Sequence, residues 1–239
     1  MANRFVLNET SYHGKGAIKE IASEIKARGF AKALVCSDPD LIKFGVTKKV
    51  TDVLDAAGIA YDIFSDIKPN PTIENVQNGV KAFKESGADC IVAVGGGSPM
   101  DCAKGVGARV ARPTSTVKQL GAFVFMVAIP VTSLPKVTFN GYFPPKLYAV
   151  PTTAGTGSET TIAAVITDMQ THDKFPITDP LIRANVAVLD PELTTGLPKK
   201  VTSTTGLDAL THAVEGYTNI WYNDKKFNDK FKAIVEKVV

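Results

Sequence analysis

The sequence predicts an α/β fold built on a parallel sheet, and three observations predict it. Helical patterns alternate with short apolar runs of strand character, joined by short links. Gly29, Gly58 and Gly87, spaced 29 residues apart, each close one helical pattern shortly before such a run. The run at 90–94 then flows directly into three consecutive glycines and a further helical stretch.

The elements follow in order. Ile18, Ile21, Ala22 and Ile25 form one apolar helix face ahead of Gly29. Val50, Val53, Leu54 and Ala57 do the same ahead of Gly58, and Ile73, Val76, Val80 and Phe83 ahead of Gly87. Glycine just past a helix end is the expected cap. The runs that follow are ALVCS (33–37), YDIFS (61–65) and CIVAV (90–94), the last expected as a central strand. LYAV (147–150) and NVAVLD (185–190) are two more strands. Beyond Pro198 only helix signals remain, so we place an α/β domain at 1–196 and the beginning of a helical one at 197–239. The segment 105–146 combines Arg109, Arg112, several prolines and an apolar run without clear period. Its local signals conflict, so irregular, poorly packed structure is expected there.

Bulk properties exclude several classes. The 239 residues are 44% hydrophobic and 21% charged, which is a globular rather than a disordered composition. A net charge of +3 is too small and dispersed to point to nucleic acid. The longest apolar run, at 122–131, is too short to span a bilayer and contains a proline. Cys36, Cys90 and Cys102 form no CxxC pair, which suits free thiols in a reducing cytosol. The N-terminal MANRFVLNET lacks an apolar signal core, so a cytoplasmic location is expected.

Four stretches carry chemistry. In CIVAVGGGSPMDCAKG a strand runs into Gly95-Gly96-Gly97, with Ser98 as expected N-cap, Pro99 at the first helical position and Asp101 completing a capping box. Glycines permit close backbone approach, and a helix N-terminus offers free N–H groups and a positive dipole end, which suits a pyrophosphate. The pattern is not GxGxxG, and a tight turn without ligand is the bland alternative. Asp38 follows ALVCS. It is either a carboxylate that binds an adenosine ribose and repels a 2′-phosphate, favouring NAD over NADP, or the N-cap of a helix starting at Pro39. PNPT (69–72) reads as a turn with Thr72 as N-cap. PTTAGTGSE (151–159) is a hydroxyl-rich loop that either lines phosphates and a ribose or merely turns the chain. In GLDALTHAVEGY (206–217), Asp208 and His212 are four apart on one helix face. A carboxylate and an imidazole presented together make half of a divalent metal site. His13 and His172, the other histidines, are expected on the surface, and Glu215 as a surface or capping carboxylate.

In this order GGGSPMD, PNPT, PTTAGTGSE and GLDALTHAVEGY resemble the iron-containing (group III) alcohol dehydrogenase family, in particular its lactaldehyde reductase (1,2-propanediol oxidoreductase) branch. The resemblance covers most of 1–104 and 147–217. It implies a nucleotide-binding parallel-sheet domain followed by the start of an all-helical metal domain. It implies NAD contacts at Asp38, Asn70, Gly97, Ser98, Thr152, Thr153, Thr156, Lys174 and Leu193. It implies metal ligation by Asp208 and His212, with Fe²⁺ the usual ion and Zn²⁺ in some members. Two later histidines complete the family's metal site, and this sequence has none after His212, so a C-terminally truncated chain is expected. Ala163 stands where relatives of this branch tend to carry a polar residue near the cofactor. The activity implied is an NAD- and metal-dependent alcohol/aldehyde oxidoreductase acting on a small alcohol or aldehyde; the alternative is an inactive member that only binds nucleotide. No nucleic acid or membrane partner is expected, and the resemblance leaves a homodimer open.

Overall fold

The computed structural model describes residues 8–121 and 143–218. Six strands form one parallel sheet: β1 (Thr10–His13), β2 (Lys32–Ser37), β3 (Ala60–Phe64), β4 (Cys90–Gly95), β5 (Lys146–Pro151) and β8 (Val186–Leu189). Their order across the sheet is β1-β8-β5-β4-β2-β3, and every pairing is parallel. β4 lies inside the sheet between β5 and β2, as expected for CIVAV. A separate antiparallel hairpin joins β6 (Ala163–Thr167) to β7 (Lys174–Thr178). β1 and this hairpin have no counterpart among the strands expected from the sequence.

Helices cover both faces. α1 (Glu20–Ala27) and α3 (Val46–Ala56) pack on one side, and α4 (Ile73–Ser86), α5 (Gly97–Ala111) and α6 (Val117–Gly121) on the other. Because side chains alternate along a strand, β4 sends Ile91 and Ala93 into one core and Cys90, Val92 and Val94 into the other. β2 divides the same way, with Leu34 and Cys36 opposite Ala33 and Val35. A strand buried on both faces must be apolar throughout, which is why these runs show no polar alternation. The three evenly spaced glycines sit just past α1, α3 and α4 with φ between 65° and 74°, the left-handed region that glycine enters without a Cβ clash. The apolar faces read from the sequence are the buried ones, for example Ile21 and Ile25, Val50 and Leu54, Val76 and Phe83. Thr72 caps α4 with a reciprocal capping box to Asn75. All three cysteines are free and buried. Burial pushes the Cys36 and Cys90 thiols up to about 12, and also raises Cys102.

Two expectations are overturned. The 105–121 part of the divergent segment is ordered and packed: α5 continues to Ala111, and Val117 and Leu120 of α6 are each 1% exposed. Arg112 meets Asp179 at 3.0 Å, so its charge is absorbed by an ion pair rather than left to oppose burial. Of the rest of that segment, 122–142 lies outside the described residues, while Phe143 is exposed and Lys146 begins β5. The N-cap of α5 is Gly96, not Ser98. The reason is that the helix starts at Gly97, two residues earlier than Pro99 suggests, so Ser98 and Asp101 are free for partners elsewhere.

Beyond β8 the chain passes a short turn at Pro191–Leu193 and enters α7 (Lys199–Thr218). No residue of α7 is buried among the described residues; Leu207, Leu210, Val214 and Tyr217 are 52–77% exposed. No helix among the described residues is long and apolar enough to cross a membrane.

Candidate functional site

The sheet reverses its direction of growth between β2 and β4: β3 was added on one side of β2, and β4, β5 and β8 on the other. Such a reversal leaves a crevice at the C-terminal strand ends, where the two chains leave the sheet in opposite directions. Asp38 follows β2 and the glycine turn follows β4, so the two stand at the two lips of that crevice.

The glycine turn and the hydroxyl loop form one surface. Thr152 N–H donates to the Gly95 carbonyl at 3.0 Å, carrying the β4–β5 pairing past the sheet edge. A Cβ on Gly96 would lie 3.1 Å from Thr153 Oγ1, and one on Gly97 3.2 Å from Thr156 Cγ2. The missing side chains are therefore what lets the two loops approach. Gly95 itself has φ 153°, and a Cβ there would meet Pro99 Cγ at 2.5 Å. The result is a helix N-terminus bordered by threonine hydroxyls, a donor-rich cradle of the kind an anionic phosphate requires.

Other expected contacts gather around it. Asn70 holds φ 58°, an unusual conformation for a residue other than glycine, and its N–H donates to Ser98 Oγ at 3.3 Å. Lys174 Nζ donates to Asn70 Oδ1 at 2.8 Å, tying the β6–β7 hairpin to the same turn. Asp38 caps α2 (Pro39–Lys43) by accepting from Leu41 N–H at 2.9 Å through Oδ1. The capping reading of Asp38 thus holds, and it occupies one carboxylate oxygen. Thr152 and Leu193 are 1% and 3% exposed, so their side chains belong to the core rather than to an open surface. Ala163 begins β6.

One group escaped the sequence reading. Lys104, one turn beyond Asp101 on α5, is 1% exposed. Its Nζ, with three N–H donors, lies within hydrogen-bond distance of Ser158 O (2.6 Å), Ser158 Oγ (3.1 Å), Thr161 O (3.0 Å), Thr161 Oγ1 (2.9 Å) and Ala163 O (2.9 Å). Asp101 Oδ1 accepts from Ser158 Oγ at 2.8 Å and its Oδ2 from Val165 N–H at 3.1 Å. Burial lowers the Lys104 ammonium to about 8, against the charges of Asp101 and Glu159. Burial likewise raises the Asp101 carboxyl, against the Val165 N–H, the Lys104 charge and the Ser158 hydroxyl. The only signal was a lysine three residues from an aspartate within a largely apolar helix.

On α7, Asp208 Oδ1 and His212 Nε2 lie 3.6 Å apart, both partly exposed. A carboxylate and an imidazole this close fit as two arms of a divalent first-row metal site. Among the described residues no group of three or more His, Cys, Asp or Glu is arranged to hold a metal. His13, His172 and Glu215 are exposed, as expected.

Comparison with known proteins agrees with this geometry. The family model for iron-containing alcohol dehydrogenase matches residues 8–191. Lactaldehyde reductase of Escherichia coli (strain K12) is 43% identical over 218 residues, covering 91% of this chain and 53% of the relative. Choline dehydrogenase of Bacillus subtilis (strain 168) is 41% identical over 86% of this chain and 48% of its own length. Among solved structures, sulfoacetaldehyde reductase from Bifidobacterium kashiwanohense in complex with NAD⁺ superimposes with a TM-score of 0.74 at 28% identity, covering 91% of this chain and 54% of that one. The chain spans about half the length of the curated relatives it matches. With a matching model over most of its length and the glycine turn, hydroxyl loop and Asp208–His212 pair in place, the chain belongs to the iron-containing alcohol dehydrogenase family.

Proposed function

We propose that this chain supplies the dinucleotide-binding part, and the first two metal ligands, of an NAD-dependent, Fe²⁺-dependent oxidoreductase of small alcohols and aldehydes, of the lactaldehyde/1,2-propanediol type. The observation that carries the reading is the contact between the glycine turn after β4 and the hydroxyl loop after β5, at the C-terminal ends of adjacent strands. We divide the chain at about residue 196 into the nucleotide-binding unit and the start of the metal-binding helices.

The residues act by binding and orientation. The N-terminus of α5 at Gly97 and Ser98 receives the pyrophosphate, and Thr153 and Thr156 donate to it from the facing loop. Thr152 and Leu193 fix the loop bases from within the core and reach the cofactor side only through backbone. Asn70 and Lys174 border the turn on the hairpin side. The free oxygen of Asp38 accepts from a ribose hydroxyl and disfavours a 2′-phosphate. NAD, when bound, supplies the hydride chemistry, which the protein only positions. Asp208 and His212 hold Fe²⁺, or Zn²⁺, whose contribution when bound is Lewis-acid polarisation of the substrate oxygen. The substrate is a small alcohol or aldehyde, and the setting is cytoplasmic.

A second reading, nucleotide binding without turnover, is favoured by the donor count among the described residues, where Asp208 and His212 by themselves leave most of a metal's coordination to water. Titration with NADH and NADPH tests the shared part, with NADH expected to bind the tighter. NAD-dependent oxidation of 1,2-propanediol in the presence of Fe²⁺, abolished by His212→Ala, supports the oxidoreductase reading for the chain as it stands. Nucleotide binding without turnover supports the second.

A further inference from the structure

The buried Lys104 and the half-buried Asp101 have no role in the function just proposed. A lysine is ordinarily solvated, and a fully buried ammonium is costly unless acceptors surround it. Here five oxygens lie within 3.1 Å of Nζ, and all belong to residues 158–163, the exit of the hydroxyl loop. Three are backbone carbonyls, so the contact fixes the course of the chain and not merely one side chain. Asp101, one turn earlier, takes the Ser158 hydroxyl and the Val165 N–H. Ser158 N–H donates in turn to Thr156 Oγ1 at 3.3 Å. The entry of the loop is tied to the glycine turn separately, through Thr152 N–H and Gly95 O. Both ends of the hydroxyl loop are thereby anchored on the β4–α5 unit, whose N-terminus it overhangs.

We propose that Asp101 and Lys104 are positioning residues for the nucleotide: they set the height of Thr153 and Thr156 over the N-terminus of α5. The proposal rests on the dinucleotide reading above. Threonine hydroxyls that must meet a phosphate within hydrogen-bond distance cannot tolerate a loop free to lift by an ångström or two. Neither residue needs to touch the ligand. Their effect is to remove the ordering cost that a loose loop would impose on binding.

The test uses the full chain, with Lys104→Met, Asp101→Asn and Ser158→Ala as variants. NADH is the probe, and hydrogen exchange of the free protein is followed peptide by peptide. Expected for Lys104→Met is a weakening of NADH binding of about tenfold or more, with a smaller loss for Ser158→Ala, which keeps the Ser158 carbonyl. Exchange should accelerate in 152–165 while β2, β3 and α3 keep the protection of the parent. If Lys104→Met does not fold cooperatively, Asp101→Asn, which is isosteric, decides by the same two readouts. Unchanged NADH affinity in a folded variant overturns the proposal, and so does exchange that rises equally across the whole sheet, which marks a general core role. A parent chain that does not bind NADH overturns the dinucleotide reading itself, a failure seen before any variant is made.

Discussion

The turn after β4 and the helix α7 both carry residues of the proposed function, yet they are supported very differently. At the turn, each feature is held by another part of the chain: Gly96 by Thr153, Ser98 by Asn70, and the facing loop by Lys104. On α7, Asp208 and His212 have each other at 3.6 Å, and the apolar side chains beside them are exposed. A motif can therefore be equally readable in two places while only one of them is set in a packed frame. Nucleotide binding is the property the packed frame predicts; among the described residues, metal binding rests on a pair held by one helix.

The largest effect that sharpens this contrast is on stability. Gly95→Val places a side chain at φ 153° and within 2.5 Å of Pro99, and should cost about 3 kcal/mol or more in urea unfolding. Leu210→Ser, on the exposed face of α7, should fall within about 0.5 kcal/mol of the parent in the same measurement. A large loss for Leu210→Ser would break the comparison, since it would reveal packing around α7. Next comes metal affinity: His212→Ala should weaken Zn²⁺ binding by calorimetry at least about tenfold, one donor of two being lost, with the unfolding midpoint unchanged.

Asp38→Gly sharpens the comparison at the crevice. Glycine replaces an N-cap for only a few tenths of a kcal/mol, so the fold should tolerate it. The preference for NADH over NADPH should narrow about tenfold, the worth of one hydrogen bond to a charged acceptor. An unchanged preference would leave Asp38 as a cap alone.

The smallest effect concerns acid. Burial would raise the Glu9 carboxyl, but hydrogen bonds from Lys146, Arg28 and Asn185 outweigh it and hold it at about 2, below its ordinary 4.5. A lowered folded value means that the stabilisation is complete above about pH 4.5 and is lost as pH falls towards 2. The melting temperature of the parent should exceed that of Glu9→Gln by a constant margin above pH 5, and the margin should shrink to nothing near pH 2. Because Glu9 is 44% exposed, solvent screening keeps the margin small.

What the sequence made legible follows the range of the forces involved. Helix faces, their glycine caps, the buried strands and the Thr72 cap are local or periodic, and each is written in a few consecutive residues. β1 is only four residues long with an alternating half-buried pattern, and β7 contains Pro176, so neither shows a strong strand signal. The start of α5 was misplaced because Ser98-Pro99 imitates a cap, while the decisive contacts come from the distant Thr153 and Thr156. Lys104 was invisible for the same reason: its acceptors lie 54 to 59 residues away in sequence. The residues we propose for nucleotide binding were nameable because their motifs are short. The clamp behind them was not, because it exists only after folding.

The three free cysteines have a practical consequence. Cys36 and Cys90 lie on neighbouring central strands and Cys102 on α5, all buried, with their thiols pushed well away from the reactive thiolate form. A thiol reagent added to the native protein has nothing to attack until the β2–β4–α5 core opens. The labelling rate is then a clock for core opening, read without a dye and without any substituted residue.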